Sequence, residues 1–255
     1  MERMVIIIGL ILAGIVSANF VMQVLVDDSA GWRRQMSEEN IEAQLMKHQD
    51  AAIYETVAAA FPQDYAQHLG DLNKIVADRS VPMELMGQKI AEEGQRFFDD
   101  LQETKTFYTA QAQAEALRAV QSKMVAVLNA AREDAALCGS LAAHGVENLT
   151  QAQRSKLPIT LLTDLRRARL EAIVSGRDRP MPHGAPDSDD WAAFLNGFPD
   201  DAATRSVVRQ FLDGDLSDPR AFCDGAIAFN QQLSADESAG TLRILAEIGA
   251  RVGTP

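Results

Sequence analysis

The chain has 255 residues, of which 47 % are hydrophobic, 24 % charged and only 6 % aromatic. Its formal net charge of -12 at pH 7 opposes attraction to phosphates, which argues against a nucleic-acid partner. The alanine-rich composition, with few long β-branched runs, favours helices over sheet. We therefore expect an all-α fold, with enough residues for one large or two small domains.

The N-terminus carries an almost unbroken apolar run from Val5 to Val26, interrupted only by Ser17, Asn19 and Gln23. An α-helix needs roughly 20 such residues to cross the hydrocarbon core of a bilayer. We predict a signal-anchor, a transmembrane helix over residues 1–27. The short tail before it favours a single-pass protein of the inner (cell) membrane with its C-terminal domain extracytoplasmic.

Other interpretations of the same segment stay open. The small residues around Ser17 and Ala18 form a possible signal-peptidase site, and cleavage near Ala18 would give a secreted or periplasmic protein. A buried core helix is a third possibility. The apolar run continues from Phe20 to Val26, however, which an anchor requires and a removable signal does not.

Three small residues, Gly9, Ala13 and Ser17, repeat every fourth position within the predicted membrane helix. This spacing places them on one helical face, where two helices can approach closely. The pattern predicts a homo-oligomer that packs through this face, with plain lipid exposure as the alternative.

Apolar residues at helical spacing after the anchor predict an elongated antiparallel bundle over residues 28–155. The clearest stretch alternates at three and four residues through Leu117, Val120, Met124, Val127 and Ala131 to Cys138. We predict one helix there, ending at Gly139 as its C-cap. Asp134 interrupts the stripe, so it lies at the solvated edge of the seam or makes a polar core contact.

The remaining chain is predicted as a connecting helix over 156–175, a Pro- and Gly-rich linker over 176–190, and a smaller C-terminal helical region over 191–255. The last region either forms its own small core or docks on the bundle. On the connecting helix, Arg166, Arg167 and Arg169 form the densest basic cluster of the chain. They are a possible contact for an acidic partner or an acidic segment of this chain; a solvated helix face is the alternative.

Only two cysteines are present, Cys138 and Cys223. An even number in an exported chain predicts one disulfide, whereas two buried free thiols are the alternative. A bond between them would join the bundle to the C-terminal region, which favours docking.

No catalytic, cofactor-binding or metal-binding residue is assigned from the sequence. The histidines form no HExxH motif or close pair, and the phosphate-binding loop, dinucleotide-binding and nucleophile-elbow motifs are absent. Adjacent carboxylates such as Glu92 and Glu93 are expected on solvated faces. We therefore predict a protein that is not an enzyme and has no cofactor.

These features favour a membrane-anchored extracytoplasmic helical protein that acts as a binding scaffold or accessory subunit of an envelope assembly. Its expected partners are the membrane and a protein or a second copy of the chain. One alternative is a helical-bundle sensor or ligand-binding domain, with a small molecule between helices near Met83 to Met86. An unrecognised envelope hydrolase is another.

Overall fold

The computed structural model of this protein describes residues 38–47 and 51–251. In this part of the chain the regular elements are twelve α-helices and one short 3₁₀-helix, without a β-strand. The predicted all-α class is therefore confirmed for the described residues. Of the helices in these two ranges, none is long and apolar enough to cross a membrane. The predicted membrane helix over 1–27, with Gly9, Ala13 and Ser17, lies outside them.

The chain divides into two compact units, Met1–Leu101 and Gln102–Pro255. The described helices of the first unit are α1 (Glu38–Leu45), α2 (Ala51–Ala60), α3 (Pro62–Ala77) and α4 (Met83–Lys105), the last of which runs to just beyond the boundary. Pro62 occupies the first turn of α3, where its missing N–H would have had no helical partner. Helices α1 and α2 both pack on α3.

The second unit begins with a 3₁₀-helix (Thr106–Gln111). It continues through α5 (Ala114–Ala131), α6 (Ala135–His144), α7 (Gln151–Arg154), α8 (Ile159–Asp178), α9 (Ser188–Asn196), α10 (Ala202–Leu212), α11 (Pro219–Ala235) and α12 (Ala239–Arg251). Helix α11 lies against α5, α6 and α10, while α12 packs on α9 and the 3₁₀-helix. The fully buried side chains of Phe194, Leu233, Ile244 and Leu245 lie in the core shared by these helices.

Asp134 lies between two helices and makes no polar core contact, since its side chain is 40 % exposed. Helix α5 ends at Ala131, and the Asp134 carboxylate caps a new helix by accepting a hydrogen bond from the backbone N–H of Leu137 (3.1 Å). Gly139 therefore lies inside α6 and does not end a helix, so the predicted single helix is wrong. A built Cβ on Gly139 would lie 3.0 Å from the Cβ of Pro219, so the missing side chain lets α6 approach α11.

The segment predicted as a linker, residues 176–190, belongs to the second unit. Its first three residues complete α8, and the Asp187 carboxylate caps α9. Between the two helices the Met181 N–H donates to the carbonyl of Gln111 (2.8 Å), and His183 Nε2 lies 2.7 Å from the carbonyl oxygen of Ala112. The structure thus divides the chain near residue 101 and not at 176–190. One backbone and one side-chain hydrogen bond hold this extended segment against residues 111–112.

Candidate functional site

The candidate site lies in the first unit and is built around His68 on α3. Tyr65, Leu69 and Leu72 form the buried stripe of this amphipathic helix. His68 lies three residues after Tyr65 and four before Leu72, so it shares their face. His68 is only 2 % exposed, and it is one of the few buried polar residues in the described part of this unit.

A chain of charged groups connects this imidazole to the surface. His68 Nδ1 lies 3.2 Å from Glu93 Oε1, and the Glu93 side chain is 7 % exposed. Arg96 Nε donates to the other Glu93 oxygen at 3.0 Å, and the Arg96 guanidinium also lies 3.5 Å from Asp71. Glu93 is therefore buried and paired, so its predicted place on a solvated face is wrong. Its neighbour Glu92 is exposed.

The protonation state of His68 follows from this arrangement. Burial lowers the pKa of His68, and the hydrogen bond and negative charge of Glu93 oppose that change only in part. The imidazole is consequently neutral at pH 7. Because a carboxylate only accepts hydrogen bonds, Glu93 selects the tautomer with the proton on Nδ1. Nε2 then carries a lone pair, and it is buried without a hydrogen-bond partner in the described part of the chain.

Aromatic rings fix the plane of the imidazole. The Phe97 ring stacks on it with centroids 4.1 Å apart and planes 9° from parallel. The Tyr54 ring is also parallel to it, at 6.1 Å. The orientation of Nε2 is therefore set by packing as well as by Glu93.

His68 lines a small cavity between the four described helices of this unit. The other lining residues are Ile41 and Leu45 of α1, Tyr54 of α2, Leu72 and Val76 of α3, and Ile90 and Gly94 of α4. The cavity has a volume of about 10 Å³, which is room for roughly one water. The lining of the cavity is mainly apolar.

The position of this cavity bears on the predicted ligand site near Met83 to Met86. Met86 is fully buried, but it does not line the cavity. The lining part of α4 begins one turn later, at Ile90. The Met83 side chain lies outside the described atoms.

The structure brings Cys138 and Cys223 together, as the sequence predicts. Their sulfur atoms lie 1.95 Å apart and their Cα atoms 5.5 Å apart, and both residues are fully buried. The pair joins the N-terminal halves of α6 and α11. It therefore connects the predicted bundle to the predicted C-terminal region, whose helices dock on α5 and α6.

Arg166, Arg167 and Arg169 of α8 do not form a free basic patch. All three are half-buried, and Arg169 forms an ion pair with Glu147, their side chains being 13 % and 30 % exposed. The Glu147 carbonyl also accepts a hydrogen bond from Arg154 (2.6 Å). The acidic contact of Arg169 is therefore a loop of the same chain. Arg166 takes part in a further interaction, and the Nε of Arg167 is buried.

Residues 38–47 and 51–251 hold no group of three His, Cys, Asp or Glu side chains placed to bind a metal ion. No protein-family model, curated protein or solved structure matches this chain.

His68 and Glu93 were not among the site residues predicted from the sequence. The signal available for His68 was its place on the apolar stripe of α3, where a neutral histidine needs a polar partner. For Glu93 the signal was weaker, because it shares the buried face of α4 with Ile90 and Phe97, three residues before it and four after it.

Proposed function

We propose that this chain is a membrane-anchored, extracytoplasmic helical protein that acts by binding, as a scaffold or accessory subunit of an envelope assembly. The observation that carries the proposal is the buried pair Cys138 and Cys223 at bonding distance. Disulfides persist in oxidising compartments and are rare in the cytosol. Together with the apolar run from Val5 to Val26, this pair supports a chain that is inserted at its N-terminus and folds on the far side of the membrane.

The packing of the second unit supports a binding role. Its helices close around a continuous aromatic and aliphatic core, in which the Phe194 ring meets those of Phe198 and Phe229 edge to face at 5.4 and 5.3 Å. Such a core gives a rigid frame. A rigid frame tethered to a membrane presents a partner surface at low conformational cost.

The test is a detergent pull-down of the full-length protein from native membranes, with the intact mass of the bait read under non-reducing conditions. We expect a bait that retains residues 1–26, has the mass of the oxidised chain and brings a stoichiometric membrane partner. A bait that begins at Asn19 with nothing bound would contradict the anchored scaffold. Two freely alkylated thiols would remove the argument for an oxidising compartment.

Self-association through the predicted membrane helix has its own test. Replacing Gly9 and Ala13 with Leu removes the small-residue face and should abolish a membrane-dependent dimer. Ile11→Leu is the matched control, because it changes an apolar residue on the other side of the same helix. Unchanged association in the double variant would eliminate this face.

A second candidate function, a sensor or ligand-binding domain, is favoured by one observation. The four described helices of the first unit surround a small, mainly apolar cavity, and the buried His68 is among its lining residues. Slower amide hydrogen exchange in the first unit after a ligand is added would support this function.

A further inference from the structure

We draw no further inference here: the strongest candidate, the surface patch of the second unit around Phe107 of the 3₁₀-helix and Met181 of the segment hydrogen-bonded to the end of that helix, is exposed and apolar, but nothing in the structure shows what covers it.

Discussion

His68 makes the stability of the first unit sensitive to acid. Its pKa is lowered in the folded chain, whereas in the unfolded chain it takes up a proton near its ordinary value of about 6.5. Below that pH the unfolded state binds more protons than the folded state, so the free energy of unfolding falls as the pH drops. The slope is at most about 1.4 kcal/mol per pH unit for one proton.

We expect amide hydrogen exchange in α3, corrected for the intrinsic pH dependence, to show lower protection at pH 5.5 than at pH 7.5. His68→Phe should flatten this difference, because it removes the titrating group and keeps the ring. Equal pH slopes in the two proteins would contradict the prediction.

Arg169 is expected to act in folding more than in partner recognition. Arg169→Glu would place a second carboxylate beside Glu147 in a half-buried site, and should lower the free energy of unfolding by roughly 1–3 kcal/mol. Arg205→Glu is the matched control, since the Arg205 side chain is 60 % exposed; we expect a change within about 0.5 kcal/mol. Urea unfolding of both variants checks this. Equal stabilities of the two variants would contradict this prediction and favour a role of Arg169 in contacting a partner.

For individual residues, the sequence indicated which face of a helix is buried but not which side chains are in contact. The stripe through Tyr65 and Leu72 places His68 inside the first unit. Glu93, which pairs with His68, lies 25 residues farther along the chain. The burial of Glu93 depends on how α4 is rotated about its axis relative to α3. Adjacent carboxylates such as Glu92 and Glu93 point in different directions, so one is solvated and the other buried.

Helices α10 and α11 approach so closely that one position between them admits no side chain. A built Cβ on Gly225 would lie 2.1 Å from the carbonyl oxygen of Val207. Gly225→Ala should therefore force the two helices apart and cost about 1–3 kcal/mol.

Gly70→Ala, inside α3, is the matched substitution, because its built Cβ has no neighbour within 4 Å. It should raise stability by up to about 1 kcal/mol through helix propensity. Thermal unfolding of both variants gives the comparison. An increase in stability in both variants would show that helix propensity, and not the contact with Val207, decides the effect at Gly225.

At the scale of elements, the apolar period predicted helices well and helix ends less well. The predicted helical region over 191–255 contains α10, α11 and α12, and Asp201 caps the N-terminus of α10. The predicted single helix through Cys138 fails, because the apolar stripe resumes in α6 after a turn. Spacing records which face is buried, whereas the break is encoded by the Asp134 side chain, which competes for backbone N–H groups.

At the scale of the whole molecule, the cysteine pair is the strongest single constraint on the second unit. It closes a loop between residues 85 apart in sequence, which in the chain-entropy model stabilises the fold by about 4.5 kcal/mol. Replacing both cysteines with Ala should lower the free energy of unfolding of this unit by that amount. Urea unfolding of the natural protein with and without reductant is the control, and a midpoint unaffected by reductant would contradict the prediction.

Composition was sufficient for the fold class and misleading for the boundary between units. Proline and glycine in residues 176–190 are typical of linkers, yet Met181 and His183 are tied to backbone carbonyls of residues 111 and 112. An extended segment that pairs with a distant loop has no periodicity of its own. Its partner is fixed only once the whole unit has folded.

The position of the two cysteines also has a consequence for biosynthesis. Translation proceeds at about 5–20 residues per second, so Cys138 emerges roughly 4 to 17 s before Cys223. Within these 255 residues, each of the two cysteines has only the other to pair with. During this interval the only protein thiol that Cys138 can pair with belongs to another polypeptide, so high rates of synthesis favour cross-linked dimers over a trapped monomer.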